Sequence, residues 1–352
     1  MSRPIRVAPY TDEWVDAVRS FNRRIAVSGQ QLPETPRPDW MPCMELFLAI
    51  EDEAVRGGYI LRRQHFWAGG FQAQAAHYRL PLSEGVVDRR YASLGLHLLR
   101  DALAREPRLY CMGMGAWNKP LPQMLKRLGW RMCEIPFHFK VLHAFPFLRN
   151  IRVLRTSVLR RLALDAAAFT GLGWLGLRLL DPGAPVESVK HDTPGSFAAW
   201  PDSTWEAVRP SAPLVAQRDS AVLDALYPAS DSRFIRVRTA GGWAVVLDTH
   251  MQNHKQFGDM RLGSIVDCLA APREAAGVIR AATAELQARR VDLIISNQLH
   301  KEWQLALRDA GFRTGPSNYL LALSPELAAL VADAPDDAFH FNRGDGDGPI
   351  HL

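Results

Sequence analysis

A chain of 352 residues, 47% hydrophobic and 22% charged, holds enough apolar material for two ordinary globular cores and excludes a wholly disordered protein. Its formal charge of +5 comes from arginines spread along the chain. That spread reads most simply as a solvated basic surface, fits an anionic ligand or a lipid surface less well, and a nucleic-acid partner least. No pair among Cys43, Cys111, Cys133 and Cys268 has CxxC spacing, and the start, MSRPIRVAPYTDEW, has no apolar signal-peptide core. Buried free thiols, no metal site and a cytoplasmic location are therefore the expectation.

Taken in chain order, residues 10–30 place Trp14, Val15, Val18, Phe21 and Ile25 at helical spacing behind Thr11 or Asp12 as a cap. A Pro-rich loop, 31–42, precedes a hairpin of strands at 46–50 and 57–62. A third strand is expected at 73–83, a helix at 93–103, a strand at 108–114, a helix at 120–128 and a closing strand at 135–144. Residues 147–180 are apolar with an arginine every few positions. The uncharged part, 166–177, is about a dozen residues, short of the roughly 20 that a membrane span needs. An amphipathic helix giving peripheral membrane contact through 147–180 stays open, but an interdomain helix packed between the halves is the expectation. The Pro/Gly-rich stretch 181–202 reads as a linker.

Beyond it come helices around 204–208 and 220–227 and a hairpin of strands at 234–238 and 243–248. A strand at 260–269, a helix at 274–289, a strand at 291–296, a helix at 302–310 and a closing strand at 319–323 follow. The end of the chain, from 331, is acidic and Gly-rich and is expected to be disordered.

The two halves resemble each other. A shift of 182 carries Arg79 to Trp130 onto Arg261 to Phe312 without a gap, bringing Gly95 to Gly277, Lys119 to Lys301 and Gly129 to Gly311. A repeat this long reads as a duplicated domain, the plain alternative being two generic βα units that happen to align. The expected fold is α/β, two tandem domains, each a mostly antiparallel mixed sheet flanked by helices. The expected bounds are 1–146, a helix and linker at 147–200, 201–330, and a tail at 331–352.

The most specific stretch is Arg90-Tyr91-Ala92-Ser93-Leu94-Gly95, directly after a strand and opening a helix. Small residues at 92, 93 and 95 let a ligand approach the backbone, and the first N–H groups of a helix have no internal partner. Such a start, with Arg90 beside it, suits a diphosphate, although a plain helix start with a surface arginine reads the same way. The layout resembles the GNAT acyltransferase superfamily, whose acyl-CoA loop runs Arg/Gln-x-x-Gly-x-Gly/Ala. Arg90-x-x-Ser93-x-Gly95 matches it, with Ser for the first Gly, and Asn118 and Gly129-Trp130 hold later family places. Arg218-Asp219 with Leu223 also looks like tandem proteins of bacterial polysaccharide pathways. The resemblance implies an acyl-CoA contacted by Leu82, Arg89, Arg90, Tyr91, Ala92, Ser93, Leu94, Gly95 and Asn118.

In the second copy the loop reads Pro272-Arg273-Glu274-Ala275-Ala276-Gly277, with a carboxylate where phosphates would lie. That copy is expected not to bind CoA. Leu125 and Leu307 stand where many members of the superfamily carry a tyrosine acid.

Amine attack on a thioester is helped by a general base, for which His77 and Glu84 are the candidates. A structural strand histidine and a turn carboxylate are their plain alternatives. His250, His254, Asn297 and His300 are expected to contact the acceptor. The function implied is N-acyl transfer, most simply acetyl, from acetyl-CoA or another acyl-CoA to a small amine such as an amino sugar or amino acid. The chain would act as a monomer or homodimer. A FemAB-like aminoacyl transferase using aminoacyl-tRNA and a catalytically silent binding protein are the alternatives.

Overall fold

The computed structural model describes residues 4–35, 44–173, 175–176 and 189–346. Cys43, most of the Pro-rich loop, the core of the expected linker and the last six residues lie outside them. The early strands are β1 (Arg6–Pro9), β2 (Met44–Glu51), β3 (Ala54–Ala68), β4 (Phe71–Ser83), β5 (Leu109–Met112), β6 (Arg131–Glu134) and β7 (Phe137–Val141). The later ones are β8 (Leu214–Ala216), β9 (Ile235–Arg238), β10 (Gly242–His250), β11 (Arg261–Ala270), β12 (Leu293–Asn297), β13 (Arg313–Gly315) and β14 (Leu320–Leu323). Helices are α1 (Val15–Arg24), α2 (Leu94–Arg105), α3 (Pro120–Arg127), α4 (Ala144–Asn150) and α5 (Val158–Phe169). After them come α6 (Asp202–Val208), α7 (Ser220–Leu226), α8 (Ala275–Ala288), α9 (Lys301–Asp309) and α10 (Pro325–Ala329).

The chain divides into two compact units. The first holds residues up to Cys133 together with Leu320–Asp333, and the second holds Glu134–Tyr319 together with Ala334 onward. The sheet order is β1-β2-β3-β4-β5-β14-β6 in the first and β13-β7-β12-β11-β10-β9 in the second. These bounds depart from the expected 1–146 and 201–330 because the closing strands are exchanged. β14, expected to close the second sheet, pairs antiparallel with β5 in the first. β7, expected to close the first, pairs antiparallel with β12 in the second, Phe139 opposite Ile295.

In the first unit, α2 lays Leu94, Leu98, Leu99 and Ala102 on one sheet face, which supplies Tyr59, Leu61, Ala76, Tyr78 and Leu109. The i, i+4 spacing makes that stripe. Val18 and Phe21 of α1, with Ile25 just past its end, cover the other face against Leu48, Ile60 and Leu82. Gly57 allows α2 to sit close, since a Cβ there would lie 2.6 Å from Leu82 O and 3.3 Å from Leu94. In the second unit α8 and α9 cover one face through Val278, Ile279, Leu286, Trp303 and Leu307. The opposite face carries Met251, Phe257, Leu262 and Ile295, packed by Phe147 of α4.

The internal repeat holds for the helices. Shifting α2 and α3 by 182 lands inside α8 and α9. It fails for the strand ahead of them: Arg79 lies well inside β4, whereas Arg261 opens β11. The two connections explain this. In the first unit residues 84–93 make two 3₁₀ turns before α2, while in the second only residues 271–274 separate β11 from α8.

Two further expectations are corrected. The end of the chain is ordered through residue 346: Phe339, Phe341, Asn342 and Asp345 are at most 1% exposed. Its acidic, Gly-rich composition suggested disorder, but a buried arginine compensates the acid. In the 147–180 region the helix α5 has no buried residue, where a packed interdomain helix was expected. No helix among the described residues is long and apolar enough to cross a membrane.

Candidate active site

In the first unit, β4 and β5 run parallel but pair only at Ala76↔Leu109 and His77↔Tyr110. Beyond that rung β5 is held by β14 on its other side, and β4 bends. The β3–β4 register slips between Gly58 and Ile60, and Leu80 takes a left-handed φ of 49°. Pro81, which has no N–H to give a ladder, follows it. Among the described residues no strand pairs with the β5-facing edge of β4 past His77, and an unpaired strand edge presents N–H and C=O groups to a ligand. In α/β sheets ligands collect outside the carboxyl ends of parallel strands, which is where this divergence lies.

The loop from β4 to α2 is tightly self-bonded. Ser83 Oγ accepts from Gly85 N–H at 3.0 Å and Asp88 Oδ1 from Arg90 N–H at 3.0 Å. A Cβ on Gly85 would lie 2.5 Å from Tyr91 O, so only glycine fits that crossing. Leu96 and His97 N–H return to Ser93 O at 3.1 and 3.2 Å, whereas the N–H groups of Ser93, Leu94 and Gly95 find no acceptor among the described residues. Gly95 faces open space, with nothing within 4 Å of where its Cβ would be.

The expected cofactor residues divide by this geometry. Arg89, Ala92 and Ser93 are exposed around the helix start. Arg90 is also exposed but folds onto Asp88, 2.9 Å from Nε and 2.6 Å from Nη2, which lowers the Asp88 carboxyl and neutralises part of the cation. Tyr91 and Leu94 are anchors: Tyr91 gives its hydroxyl to Glu51 at 2.6 Å, and Leu94 is core. Leu82 is buried against α1, so only its backbone is available. Asn118 is exposed in the turn between β5 and α3, at the carboxyl end of β5. A depression of about 270 Å³ at the helix start is lined by Ile5, Arg90, Tyr91, Ser93, Leu94 and His97.

His77 is 1% exposed, on the last paired rung, with its ring stacked 4.9 Å from Tyr110. Burial, then Arg62 and Arg79, push its pKa well below 6.5, so the ring is neutral at working pH. Neither ring nitrogen has a hydrogen-bond partner among the described residues. Tyr110 accepts from Arg62 at 3.0 Å and from Gln64 at 2.7 Å. Sequence reasoning missed Tyr110, Arg62 and Gln64; the polar alternation Arg62, Gln64 in an otherwise apolar strand was the available signal. Glu84 is a clamp: it accepts from Arg24 Nε at 2.7 Å and from Arg56 at 3.2 Å, tying α1 and β3 to the end of β4.

The second unit shows the same divergence filled. β11 and β12 pair in parallel as far as Ile265↔Ser296. Past that point the C-terminal segment enters: Gln298 bridges Asn342, and Leu299 N–H donates to Phe341 O at 3.0 Å. Asp267 accepts from Arg218 at 2.8 Å, Tyr227 at 2.7 Å and Asn342 at 2.9 Å. A Cβ on Gly344 would lie 2.8 Å from that carboxylate.

The four residues expected at the acceptor are split. His250 ends β10 opposite Arg261, the first residue of β11, and His254 lies in the adjoining loop, where its Nδ1 accepts from Phe257 N–H at 3.2 Å. Asn297 and His300 lie at the other end of the parallel pair. Asn297 accepts from Arg343 at 3.1 Å, and His300 caps α9 by accepting Glu302 N–H at 3.3 Å.

Three buried histidines set a pH dependence. Burial is the first cause in each, holding His77 well below 6.5, His138 at about 4 and His340 at about 3. A depressed pKa in the folded state favours unfolding when the ring gains a proton. The stability these rings give is complete above 6.5 and is lost as pH falls toward 4. Each contributes a slope of up to about 1.4 kcal/mol per pH unit. Urea unfolding across that range measures it, and a flat profile would show the rings free to ionise in the folded protein.

No protein-family model matches the sequence, and no curated protein matches it. Solved structures do match in fold. A probable N-acyltransferase of Enterococcus faecalis V583 aligns at TM-score 0.54 and 12% identity, over 95% of this chain and 76% of its own. A GCN5-related N-acetyltransferase from Kribbella flavida aligns at 0.54 and 13%, over 91% and 71%. Saccharomyces cerevisiae N-myristoyltransferase, with bound myristoyl-CoA and inhibitors, aligns at 0.52 and 8%, over 91% and 79%. With paired strands that part at their carboxyl ends and a helix opening beside the gap, this chain has the fold of the GNAT acyltransferase superfamily.

Proposed function

We propose that the protein is an acyl-CoA-dependent N-acyltransferase working through its first unit, with an acetyl or other short acyl group as donor and a small-molecule amine as acceptor. One observation carries this reading. The β4–β5 divergence and the unpartnered N–H groups at Ser93, Leu94 and Gly95 occur together in the first unit, while the second unit fills its divergence with its own C-terminal segment. The helix start would hold the diphosphate by N–H donation and dipole. The free edge of β4 would bind the pantetheine amides and polarise the thioester carbonyl.

In the reaction a neutral amine attacks the carbonyl carbon. A C–N bond forms, the C–S bond breaks, and the amine's surplus proton passes to a base as the CoA thiolate leaves. Neutral His77, at the foot of the divergence, is the candidate for that proton, while the oxygens of Glu84 are taken by two arginines. His250, His254, Asn297 and His300 are given no role in this reading.

Calorimetry with acetyl-CoA, followed by CoA-release assays against pools of amino sugars and amino acids, tests the reading. Binding and turnover are expected. Absence of acetyl-CoA binding would remove it, and salt-sensitive tRNA binding in its place would favour aminoacyl transfer. Binding without turnover on any amine would leave a binding protein.

A further inference from the structure

The helix α5 turns its apolar side outward. Val158, Leu159, Leu162 and Phe169 are 71%, 78%, 62% and 68% exposed, and Leu172 just beyond the helix is 61% exposed, far above what a surface helix of this size needs to leave in water. The helix is nonetheless firmly mounted. It packs on α4, with Phe145 edge-on to Phe169 at 5.4 Å, and α4 is rooted through Phe147 and Ile151 in the core of the second unit.

Charge decides what covers this face. Residues 144–170 carry five arginines, Arg149, Arg152, Arg155, Arg160 and Arg161, against one acid, Asp165. Asp165 is shared by Arg149 at 3.1 Å and Arg155 at 2.7 Å. The other three meet neutral acceptors: Asn253 for Arg152, Thr156 for Arg160 at 3.3 Å and the Arg155 carbonyl for Arg161 at 3.0 Å. An exposed apolar stripe flanked by uncompensated guanidinium groups complements an anionic bilayer, with aliphatic side chains below the headgroups and arginines reaching up to phosphates. The helix, at 12 residues, is too short to cross and long enough to lie flat.

We infer that α5 docks the protein on the surface of an anionic phospholipid membrane, lying in the interface with its Leu159–Leu162–Phe169 face down. This inference stands independently of acyl transfer.

Co-sedimentation with vesicles of phosphatidylcholine alone, and of phosphatidylcholine mixed with phosphatidylglycerol, tests it on the full chain. Binding to the mixed vesicles, at least about tenfold above that to phosphatidylcholine and weakened by salt, is expected. Leu159→Ser with Leu162→Ser and Phe169→Ser should abolish it. Arg160→Glu with Arg161→Glu, which leaves the apolar face intact, should lower it about tenfold or more. All five sites are exposed, and an unchanged circular dichroism spectrum confirms that the variants fold. The inference is overturned if wild type binds neither vesicle, if the serine variant binds as wild type does, or if those serines dissolve a dimer without touching vesicle binding.

Discussion

Arg218→Ala is expected to cost about 3–5 kcal/mol of stability, the loss seen when one partner of a buried ion pair is removed. Arg218 is 1% exposed and donates to Asp267 at 2.8 Å and to Asp345. Burial opposes its charge, but Asp267 and then Asp345 outweigh burial and raise its pKa. Without it, two fully buried carboxylates face each other beside neutral donors such as Tyr227, Asn342 and backbone N–H groups. The Asp345 carboxyl, already raised by burial, would take up a proton. The C-terminal segment that fills the β11–β12 divergence is tied to the sheet here through Asp345 and Asn342, so its loosening should accompany the loss. Guanidinium unfolding and limited proteolysis beyond Ala334 read the two effects. A variant with wild-type midpoint and an uncut end would show that the segment is seated by something other than this network.

Gly95→Trp is expected to weaken acetyl-CoA binding by about a hundredfold, roughly 2.7 kcal/mol, with little change in stability. The site of the new side chain is open, since nothing lies within 4 Å of the Cβ position, so the fold has no reason to resist it. An indole there would stand over the unpartnered N–H groups of Ser93, Leu94 and Gly95 and bar a diphosphate from them. Gly95→Ala is the control: it is a better helix former by about 1 kcal/mol and should keep most of the affinity. Arg90→Ala should matter less than tryptophan, because Asp88 already holds that guanidinium. Equal affinity in wild type and tryptophan variant, measured by calorimetry, would place the diphosphate elsewhere.

How far the sequence reached can be judged from single elements. The α2 helix was legible because Leu94, Leu98, Leu99 and Ala102 form a helical stripe, and the β9–β10 hairpin because Gly241-Gly242 stand at its turn, whereas the β2–β3 hairpin turns at Asp52-Glu53. The connection at 84–93 was legible as a loop ahead of a helix, but its length relative to 271–274 was not. A gapless shift of 182 matches the helices and conceals the fact that the strands before them do not correspond. Arg90 was legible as a cation, whereas its capture by Asp88 depends on a turn that only coordinates display. His77 was visible as a strand histidine; its neutrality comes from Arg62, Arg79 and burial, all supplied by other segments.

Local pattern determined which stretches became strands and helices, that the order repeats, and that a glycine opens a helix after a strand in the first half. Those properties depend on side-chain periodicity and backbone freedom within a few residues. Tertiary structure alone decided which sheet each closing strand joins, because Phe137–Val141 and Leu320–Leu323 advertise the same extended form, and a hydrogen-bonding edge does not identify its partner in sequence. It also decided that an acidic, glycine-rich end would be ordered, since the compensating Arg218 lies more than a hundred residues away and the charge pair exists only once the chain has folded.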